Sequence, residues 1–536
     1  MAADPSAADR EAISRLLEDG DDAELERRFG APLAFGTAGL RGPVMAGPAG
    51  MNRLTVRRAT QGVVGWLGEI GADPARGVVV GRDARRGSEE FNDEVVAVLL
   101  GAGVAVHEMP GPLPTPLVAY AVKALGAAAG IMVTASHNPP QDNGYKLYAA
   151  DGAQIVAPHD EIVERHAAAA ATPSLGSRGD PGHHVIGGDL LDAYRTHMVQ
   201  RFGAPSDLAI AYTPLHGVGG ATMISLFAEA GFANVHVAAS QFAPDAAFPT
   251  VAFPNPEEPG ALDEAIATAE AAGADLVLAN DPDADRLGVA VRSGSGWRVL
   301  RGDEIGWLLA STLLPGARES DVVATTIVSS SLLESMARDH GVPCATTLTG
   351  FKWISRAAGE GTLLFGYEEA LGYAVDPVVS DKDGMSAALA VARLAHDLAA
   401  GGATLLDRLD EIEARYGVHA GTQVVVRVEG REGLAAIAGV LERLRRDPPA
   451  SLGGLTVSEA VDLATGWRGL PPTEGVRWAL GDAGRVVVRP SGTEAKLKAY
   501  LEVVVAPGGT LARARDVAAE RLGALRADVE RLVAVA

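Results

Sequence analysis

One stretch of the chain joins a run typical of a buried strand to a loop that prolines interrupt. It reads Gly130-Ile-Met-Val-Thr-Ala-Ser-His-Asn-Pro-Pro-Gln-Asp-Asn-Gly-Tyr-Lys-Leu-Tyr148. Pro139 and Pro140 stop both helix and central strand, because proline lacks the backbone N–H that either structure uses. Ligands of open α/β sheets bind at the ends of the strands. The stretch therefore predicts an α/β fold with Ser136 as a candidate nucleophile in a binding loop.

Two basic side chains near Ser136 are candidates for the same site. Side chains of adjacent loop residues usually diverge, so we expect His137 to position the loop, although a role as proton acceptor stays open. Lys146, ten residues after Ser136, is the better candidate to meet a phosphate group there. The alternative is that Lys146 is an ordinary surface lysine.

A second apolar run, residues 275–291, ends in three aspartates spaced by two: Asp281, Asp283 and Asp285. In an extended chain this spacing points the three carboxylates the same way. Converging carboxylates repel one another, so a hard cation that takes oxygen ligands is the natural compensation, and Mg²⁺ fits. A solvated acidic loop is the alternative.

The sequence excludes two other interpretations of the acidic run. A calcium-binding EF-hand loop that starts at Asp281 needs Gly at its sixth position and Glu at its twelfth, where Arg286 and Arg292 stand. The Asp-x-Asp-x-Thr/Val pattern of haloacid-dehalogenase-type phosphatases is also absent, because its fifth position holds Asp285.

A third segment, residues 486–500, places Arg-Pro-Ser-Gly-Thr between two strand-like runs. Arg489 offers a bidentate fork, Ser491 and Thr493 offer hydroxyls, and Gly492 lets backbone N–H groups turn inward. This combination is typical of a phosphate-binding nest. An ordinary hairpin turn is the alternative.

Three further loops carry weaker signals. Residues 366–373 place Glu368 and Glu369 after the apolar run 362–365, where carboxylates can accept hydrogen bonds from sugar hydroxyls or simply be solvated. Lys352 lies in a Gly turn between aromatic residues, and Arg41 lies in a Gly-rich loop near the N-terminus. Residues 216–220 form a glycine motif without dinucleotide spacing, so we expect a strand-to-helix turn there.

Strand-like and helix-like runs alternate along most of the chain. An exposed amphipathic helix is predicted over residues 9–29, and strands alternate with helices up to about residue 400, as in α/β domains with mixed or parallel sheets. After residue 402 the pattern changes to a strand at 423–428, a helix at 432–446, short strands and a last helix at 511–533. This part predicts a smaller α+β domain. The Gly-, Pro- and Ser-rich stretch 172–188 is expected to be a surface loop.

Composition narrows the class of protein. The chain has 536 residues, a formal charge of −22 and one cysteine, Cys344. The acidic balance argues against nucleic acid or an anionic membrane as a partner, and a single cysteine excludes an internal disulfide. Cys344 is expected to be a buried, inert thiol. Without an apolar leader or a membrane-spanning run, the sequence predicts a cytoplasmic protein.

Four loops in this order resemble the α-D-phosphohexomutase superfamily, the phosphoglucomutase/phosphomannomutase family. They are Thr134-Ala-Ser-His-Asn-Pro, Asp281-Pro-Asp-Ala-Asp-Arg286, Gly366-Tyr-Glu-Glu-Ala and Arg489-Pro-Ser-Gly-Thr493. The resemblance implies four domains around a central cleft, three similar mixed-sheet α/β domains and a C-terminal α+β domain like the TATA-binding protein. The corresponding boundaries are 1–205 with the phosphoserine loop, 206–303 with the metal loop, 304–405 with the sugar loop and 406–536 with the phosphate loop.

The resemblance also implies a chemistry and a set of site residues. Ser136 would carry a phosphoryl group, and the metal ligands would be Ser136, Asp281, Asp283 and Asp285 around Mg²⁺. Catalysis would use Ser136, Lys146, Arg41 and Arg286. Substrate binding would use Lys352, Glu368, Arg489, Ser491, Gly492 and Thr493. A sugar bisphosphate would serve as activator and intermediate.

One departure from the family pattern concerns the sugar. Many members read Gly-Glu-x-Ser where this chain has Tyr367-Glu-Glu-Ala370, so one hydroxyl that would contact the sugar is missing. With residues 349–353 and Ser380-Asp-Lys-Asp-Gly384, the loop resembles the branch of phosphopentomutases and glucose-1,6-bisphosphate synthases. The expected reaction moves a phosphoryl group between C1 and the terminal hydroxyl of an aldose phosphate, with glucose first and pentose or mannose as alternatives.

Two rival classes and the expected partners complete the sequence-based hypotheses. One rival is a Mg²⁺-dependent sugar-phosphate phosphatase with Asp281 as nucleophile, and the other is a phosphosugar-binding protein without catalysis. The expected partners are small-molecule sugar phosphates, with no nucleic acid and no membrane. A monomer or a homodimer is expected.

Overall fold

The computed structural model describes residues 4–35, 39–427, 432–490 and 496–534. The chain forms two compact units. The first comprises Met1–Gly302 and Ala370–Asp397, and the second comprises Asp303–Glu369 and Leu398–Ala536. Each unit combines segments that are distant in the sequence, so the chain passes from one unit to the other and back.

The N-terminal segment forms two helices where the sequence pattern predicted one. Helix α1 (Ala7–Asp19) ends at Gly20, whose φ of 67° places it in the left-handed region that favours glycine. Helix α2 (Asp22–Phe29) then begins after Asp21, whose side chain accepts a hydrogen bond from the backbone N–H of Glu24. The apolar periodicity continues across this break, which explains why it suggested a single helix.

The first sheet of the first unit has six strands in the order β1-β5-β4-β2-β3-β6. Strands β2, β3, β4 and β6 run parallel, and β5 and β1 add antiparallel strands at one edge. The strands are β1 (Leu40–Pro43), β2 (Val78–Arg82), β3 (Val106–Pro112), β4 (Ala129–Val133), β5 (Asp142–Ala149) and β6 (His183–Val185). The helices are α3 (Arg53–Glu69), α4 (Ser88–Gly101), α5 (Thr115–Leu125), α6 (His159–Ala168) and α7 (Gly188–Phe202).

The second sheet of the first unit repeats this plan in the order β11-β10-β9-β7-β8. Its central strand β7 is flanked by parallel neighbours, and β10 adds an antiparallel strand. The strands are β7 (Ile210–Thr213), β8 (Val235–Val237), β9 (Leu276–Ala279), β10 (Gly288–Ser293) and β11 (Gly296–Val299). The helices are α8 (Gly219–Glu229), α9 (Ala239–Phe242) and α10 (Asp263–Ala272), and α8 follows β7 through the glycine turn that the sequence predicted.

In the second unit, strand β12 has parallel neighbours on both sides, as β2 and β7 have. The elements are α11 (Gly302–Leu313), β12 (Asp321–Thr326), α12 (Leu332–Asp339), β13 (Cys344–Thr347), α13 (Phe351–Ile354) and β14 (Thr362–Glu368). The chain then returns to the first unit, where it forms β15 (Gly372–Ala374) and most of helix α14 (Gly384–Ala400).

The C-terminal part of the second unit has an antiparallel sheet in the order β16-β22-β21-β20-β19. Helices α16 and α17 cover one face, where Ile437 and Leu525 meet Trp478 and Val486 in one apolar core. The elements are α15 (Leu405–Tyr416), β16 (Val418–Arg427), α16 (Glu432–Arg446), β17 (Ser451–Leu452), β18 (Leu455–Thr456), β19 (Glu459–Asp462), β20 (Val476–Ala479), β21 (Gly484–Pro490), β22 (Lys496–Val505) and α17 (Leu511–Val533). Short 3-10 helices span Pro74–Arg76, Leu314–Gly316 and Leu463–Thr465.

The expected fold class is confirmed: three α/β sheets of one plan precede an α+β domain. Two details of the sequence prediction are wrong. The stretch 172–188 contains strand β6, which was missed because its three residues are too few to show a period, and β14 continues through Glu368 rather than ending at residue 365. Among the described residues, no helix combines the length and the apolarity that crossing a bilayer requires.

Candidate active site

Ser136 lies in the turn between β4 and β5, with 1% of its surface exposed. Its φ of 53° is in the left-handed region, which is uncommon for a residue with a side chain and indicates a backbone held by its surroundings. The Ser136 hydroxyl donates a hydrogen bond to Oδ2 of Asp281 at 2.7 Å. Two segments that the sequence singled out separately, 145 residues apart, therefore meet at this serine.

Arg85 holds the loop around Ser136. Its guanidinium donates to the carbonyl oxygens of Ser136, Asn138 and Pro139, the last two at 2.7 and 3.0 Å. Asp83 pairs with Arg85 at 3.2 Å. Sequence reasoning missed Arg85, although the charged run that follows strand β2 was a signal, because strand ends carry functional residues in such sheets.

The acidic run forms a turn, not the extended chain that the spacing suggested. Ala284 has a φ of 57° and lies between two of the aspartates. Asp281, Asp283 and Asp285 are nevertheless brought together, with one oxygen of each within 4.8 Å of the others. All three side chains are buried, so the alternative of a solvated acidic loop is wrong. Convergence comes from the turn geometry and not from the two-residue period of a strand.

Lys146 lies inside the acidic cluster. Its ammonium donates to Oδ2 of Asp283 and to Oδ2 of Asp285, both at 2.7 Å, and the side chain has no exposed surface. The alternative of a surface lysine is therefore wrong. Lys382 is part of the segment Ser380-Asp-Lys-Asp-Gly384, and the sequence analysis gave it no role in the site. Its Nζ lies 3.2 Å from Oδ2 of Asp285.

The charges in this cluster shift the pKa values in opposite directions. Burial and the neighbouring carboxylates raise the pKa of Asp281 well above its usual range. Burial also disfavours the charged form of Asp285, but the ammonium groups of Lys146 and Lys382 outweigh it and lower its pKa. Lys146 behaves correspondingly: burial lowers its pKa, and the paired carboxylates more than offset this, so its pKa is raised.

The donor set fits a hard divalent cation. Asp281 is the aspartate whose charge no ammonium pairs within the described cluster, so burial and the two neighbouring carboxylates raise its pKa without such compensation. Oδ1 of Asp283 and Oδ1 of Asp285 are buried and have no hydrogen-bond partner among the described residues. Buried carboxylate oxygens without donors are costly, and a Mg²⁺-like ion takes oxygen ligands of this kind. The three aspartates can therefore hold a metal ion.

His137, Arg286 and Arg41 complete the surroundings of Ser136. Nδ1 of His137 lies 3.1 Å from the Ser136 hydroxyl oxygen, so the expectation that these neighbouring side chains diverge is wrong. Burial and then the charges of Arg286 and Arg41 lower the pKa of His137 well below its usual value, so the imidazole is neutral. Arg286 donates its backbone N–H to Asp281 at 3.0 Å, and Arg41 donates to Asn138 at 3.4 Å.

In the second unit, the predicted sugar-contacting residues share one neighbourhood. Glu368 is the last residue of β14, and its carboxylate accepts the backbone N–H of Gly350 at 2.6 Å. Lys352 follows two residues after Gly350 in helix α13, where the sequence suggested an open glycine turn. Both side chains are half-buried, so they present charge at a partly accessible surface.

Arg489 is also half-buried and lies near the end of β21, opposite Lys498 of β22. Residues that stand opposite each other on neighbouring strands project from the same face of a sheet. The side chains of Arg489 and Lys498 therefore lie on one side of the sheet at this end. Ser491, Gly492 and Thr493, the remaining predicted residues of the phosphate nest, lie outside the described residues.

Comparison with known families accounts for the whole arrangement. Four domain models of phosphoglucomutase/phosphomannomutase match in succession: α/β/α domain I at residues 32–173, domain II at 192–294, domain III at 301–416 and the C-terminal domain at 424–520. The repeated α/β sheets, the final α+β domain and the buried serine–aspartate cluster are those of a phosphomutase, an isomerase. The chain belongs to the phosphoglucomutase/phosphomannomutase family.

The relatives of this chain are named for different sugars. A probable phosphomannomutase of Haemophilus influenzae is 40% identical over 84% of this chain and 93% of its own length. Phosphopentomutase of Mus musculus is 35% identical over 93% of this chain and 88% of its own length. Phosphoglucomutase of Staphylococcus aureus is 31% identical, covering 92% and 93%. The chain is therefore a phospho-sugar mutase that acts on small sugar phosphates.

A solved structure supports the same assignment. The crystal structure of a putative phosphomannomutase from Thermus thermophilus is 25% identical, with a TM-score of 0.70 over 94% of this chain and 99% of the other. The likeness extends over all four domains rather than one, so the whole chain is built as a member of this family.

Proposed function

We propose that this protein moves a phosphoryl group between C1 and the terminal hydroxyl of an aldose phosphate, with glucose phosphate as the principal substrate. The observation that carries the proposal is the hydrogen bond of 2.7 Å from Ser136 to Asp281 within a buried cluster of three aspartates. A serine that only bound ligand would not need such a costly collection of buried charges.

In the proposed reaction, phosphorylated Ser136 faces a free hydroxyl of the bound sugar phosphate. The bond between phosphorus and the Ser136 oxygen breaks, and a bond between phosphorus and the sugar oxygen forms. The product is a sugar bisphosphate and a free serine. The bisphosphate then turns around, and its other phosphate returns to Ser136, which restores the phosphorylated enzyme and releases the isomeric monophosphate.

Asp281, Asp283 and Asp285, together with an oxygen on Ser136, are the proposed ligands of Mg²⁺. When bound, the ion supplies Lewis-acid stabilisation of the charge that develops on the phosphoryl oxygens. The buried carboxylate oxygens without hydrogen-bond donors support this assignment.

Lys146, Arg41 and Arg286 are the proposed catalytic cations. Lys146 keeps its proton in the cluster because the two carboxylates raise its pKa, so its ammonium is positioned as a fixed positive charge. Arg286 and Arg41 lie within reach of the same loop and stabilise negative charge on the phosphoryl group as it moves. Over the step the sugar hydroxyl loses a proton and the Ser136 oxygen gains one, and the charges of Lys146 and Arg41 assist this movement by stabilising both oxygens while they carry negative charge.

The proposed substrate contacts lie in the second unit. Arg489, with Ser491, Gly492 and Thr493, binds the phosphate that does not react, and Glu368 and Lys352 contact the sugar. One phosphate nest then serves both orientations of the bisphosphate, which requires sugar contacts that tolerate both. A sugar bisphosphate added from outside is the proposed activator, because it phosphorylates Ser136 without net turnover.

A pentose phosphate is the second candidate substrate. The observation in its favour is the 35% identity to mouse phosphopentomutase over 93% of this chain, together with Ala370 where a serine hydroxyl would otherwise meet the sugar. A mannose phosphate is the third, since the relative that is 40% identical is named for it. A comparison of kcat/KM for glucose 1-phosphate, ribose 1-phosphate and mannose 1-phosphate, with bisphosphate activator present, decides among them.

Ser136→Ala tests the mechanism. We expect phosphate on Ser136 in the wild-type protein by phosphopeptide mass spectrometry, and loss of turnover by at least about 10,000-fold in the variant, since the covalent route disappears. An alanine variant that keeps a near-native mutase rate would overturn the proposal. Net release of inorganic phosphate that survives Ser136→Ala would instead support a phosphatase with Asp281 as nucleophile.

The proposed domain boundaries are residues 1–205, 206–303, 304–405 and 406–536. Each of the four contains one of the loops that resemble the family. Expression of residues 406–536 alone, followed by circular dichroism and thermal unfolding, tests the last boundary, because an independent domain unfolds cooperatively.

A further inference from the structure

A loop of the second unit, residues 327–331, is docked on the C-terminal antiparallel sheet. Ile327 and Val328 pack in one apolar cluster with Val487 of β21 and Tyr500 of β22. Val487 stands opposite Tyr500 in the strand register, and Arg485 and Arg489 lie two residues to either side of Val487. Alternate residues share a face, so the loop covers the face of β21 that also carries Arg489, the proposed phosphate ligand.

Glu502 fixes this docked loop from the sheet. It stands opposite Arg485 in the register, and its side chain is nearly buried. Its carboxylate accepts the Ser330 hydroxyl at 2.6 Å and the Ser331 backbone N–H at 2.9 Å. Ser331 immediately precedes helix α12, so the carboxylate also lies at the positive end of a helix.

Two further groups keep Glu502 ionised. The guanidinium of Arg485 lies 3.1 Å from Oε2, and Nδ1 of His419 lies 3.1 Å from Oε1. Burial alone would raise the pKa of Glu502, but Arg485 and His419 outweigh it and hold the pKa well below the ordinary value. The Glu502 carboxylate and the Arg485 guanidinium therefore form an ion pair.

Arg485 reaches the glutamates of the sugar site through one intervening residue. Its guanidinium donates to the carbonyl oxygen of Ser329. The hydroxyl of Ser329 donates to Glu369 at 2.9 Å and accepts the backbone N–H of Glu369 at 3.2 Å. Glu369 directly follows Glu368, the proposed sugar ligand. Arg485 and Ser329 thus link strand β21, which carries Arg489, to Glu369, the residue after Glu368.

A second link runs to strand β14. The carboxylate of Asp303 accepts the backbone N–H of Ser330 at 2.7 Å and the hydroxyl of Tyr367 at 2.9 Å. Tyr367 directly precedes Glu368, and its side chain is fully buried. The docked loop is therefore held to the sheet by Arg485 and Glu502 and to β14 by Asp303 and Ser329.

We propose that Arg485 and Glu502 are positioning residues that set the distance between the phosphate-binding end of β21 and the sugar-binding end of β14. The inference rests on the proposed function, in which Arg489 binds the unreactive phosphate and Glu368 binds the sugar. A hexose phosphate and a pentose phosphate differ by one carbon, so their hydroxyls lie at different positions relative to the bound phosphate. A displacement of about 1 Å changes the alignment of one substrate more than of the other, so this pair of residues governs the preference between them.

The test uses full-length Glu502→Gln, Glu502→Asp and Arg485→Lys with glucose 1-phosphate and ribose 1-phosphate. We expect Glu502→Gln to raise KM for glucose 1-phosphate about tenfold and to change the ratio of the two kcat/KM values at least about fivefold. The value of kcat should change less than about threefold, because Ser136 and its cluster belong to the first unit. Glu502→Asp should restore part of the ratio, since it keeps the charge.

Arg526 and Glu530 provide the control. They form an exposed ion pair of 2.8 Å on helix α17 of the same C-terminal domain. We expect Glu530→Gln to leave the ratio of kcat/KM values unchanged. If Glu502→Gln is insoluble, Ser330→Ala removes a single hydrogen bond to Glu502 and should move the ratio in the same direction.

The possible outcomes separate this inference from the proposed function. A wild-type protein that turns over neither sugar phosphate contradicts the proposed function itself. Wild-type turnover with an unchanged ratio in Glu502→Gln and Ser330→Ala, accompanied only by a lower Tm, overturns the positioning role and leaves Glu502 a packing residue. A changed ratio with kcat nearly intact supports the role.

Discussion

The two units of this protein hold their charged side chains in contrasting ways. In the first unit, Asp281, Asp283 and Lys146 have no exposed surface, and each faces an opposite charge or a hydrogen-bond donor. In the second unit, the proposed ligands Lys352, Glu368 and Arg489 are half-buried. The first arrangement is a buried cluster of opposite charges in which two carboxylate oxygens lack a hydrogen-bond donor among the described residues, whereas the second leaves charged groups at a partly accessible surface.

This difference matches the two tasks of a phospho-sugar mutase. Phosphoryl transfer depends on charges fixed in advance in a dry environment, where their effect on the transition state is large. In the proposed reaction the sugar binds in two orientations, and its recognition then depends on contacts that tolerate variation. We therefore expect mutations in the first unit to act mainly on kcat and mutations in the second unit to act mainly on KM and on the choice of sugar.

The largest effect is expected from Asp283→Asn. The change removes one proposed metal ligand and one partner of Lys146, so kcat should fall at least about 1,000-fold, as measured with saturating glucose 1-phosphate. Isothermal titration with Mg²⁺ should show weakened binding. Asp275→Asn serves as control, because this exposed aspartate precedes β9 and pairs with Arg292. If Asp283→Asn kept more than about a tenth of the wild-type kcat, the proposed division of tasks between the two units would be wrong.

A smaller loss is expected from Arg85→Lys. Lysine keeps the charge but cannot donate to several carbonyl oxygens in a fixed fork, so the loop around Ser136 loses its geometry. We expect kcat to fall about 100-fold, with KM changed less than about threefold. Exposed Arg86 is the neighbouring control, and Arg86→Lys should keep wild-type kinetics. An effect on KM alone would mean that Arg85 does not act through Ser136.

A change in the second unit should act on binding. Glu368→Gln retains an oxygen that can accept the N–H of Gly350, so the local fold is kept and only the charge is lost. We expect KM to rise about five- to tenfold, in line with the loss of a charged hydrogen bond, and kcat to stay within about threefold. Glu360→Gln, an exposed glutamate in the segment that leads into β14, is the control. A dominant loss of kcat would contradict the proposed division of tasks.

The smallest effect concerns Cys344, which reports on the second unit without touching either site. Burial raises the pKa of its thiol to about 12, so little thiolate is present at pH 8. Alkylation by iodoacetamide at pH 8 should be at least about tenfold slower in the native protein than in the denatured one, as followed by intact mass. Equal rates would show that strand β13 opens readily.

Much of the fold could be predicted because its elements are long and regular. Helices α16 and α17 have the bounds that the sequence pattern predicted. The misses have local causes. Gly20 ends the first helix without interrupting the apolar periodicity of the sequence. Strand β6 has three residues, which are too few to show the alternation of a strand. Such features depend on a single backbone angle or on a neighbouring strand.

The structure brings Ser136, Lys146 and the three aspartates together, but in a geometry that the sequence did not predict. The spacing of the aspartates was interpreted as an extended chain, whereas a turn with Ala284 in the left-handed region brings the carboxylates together. Arg85 and Lys382 were not predicted as members of the site, since each acts on residues distant in the sequence. Adjacent His137 was expected to turn away from Ser136, and the tight turn instead brings its ring to the hydroxyl.

The sequence alone determined the class of this protein, because each functional loop carries its residue types in a short, specific order that chemistry requires. It also singled out the residues that we propose to meet a phosphate or a metal ion. The tertiary structure decided which charges cancel one another: that Lys146 lies between two aspartates, that Asp281 is the carboxylate no ammonium pairs in the described cluster, and that Arg485 and Glu502 fasten a loop near the glutamates proposed to contact the sugar. Electrostatic energy depends on distance and burial, which only the folded chain fixes.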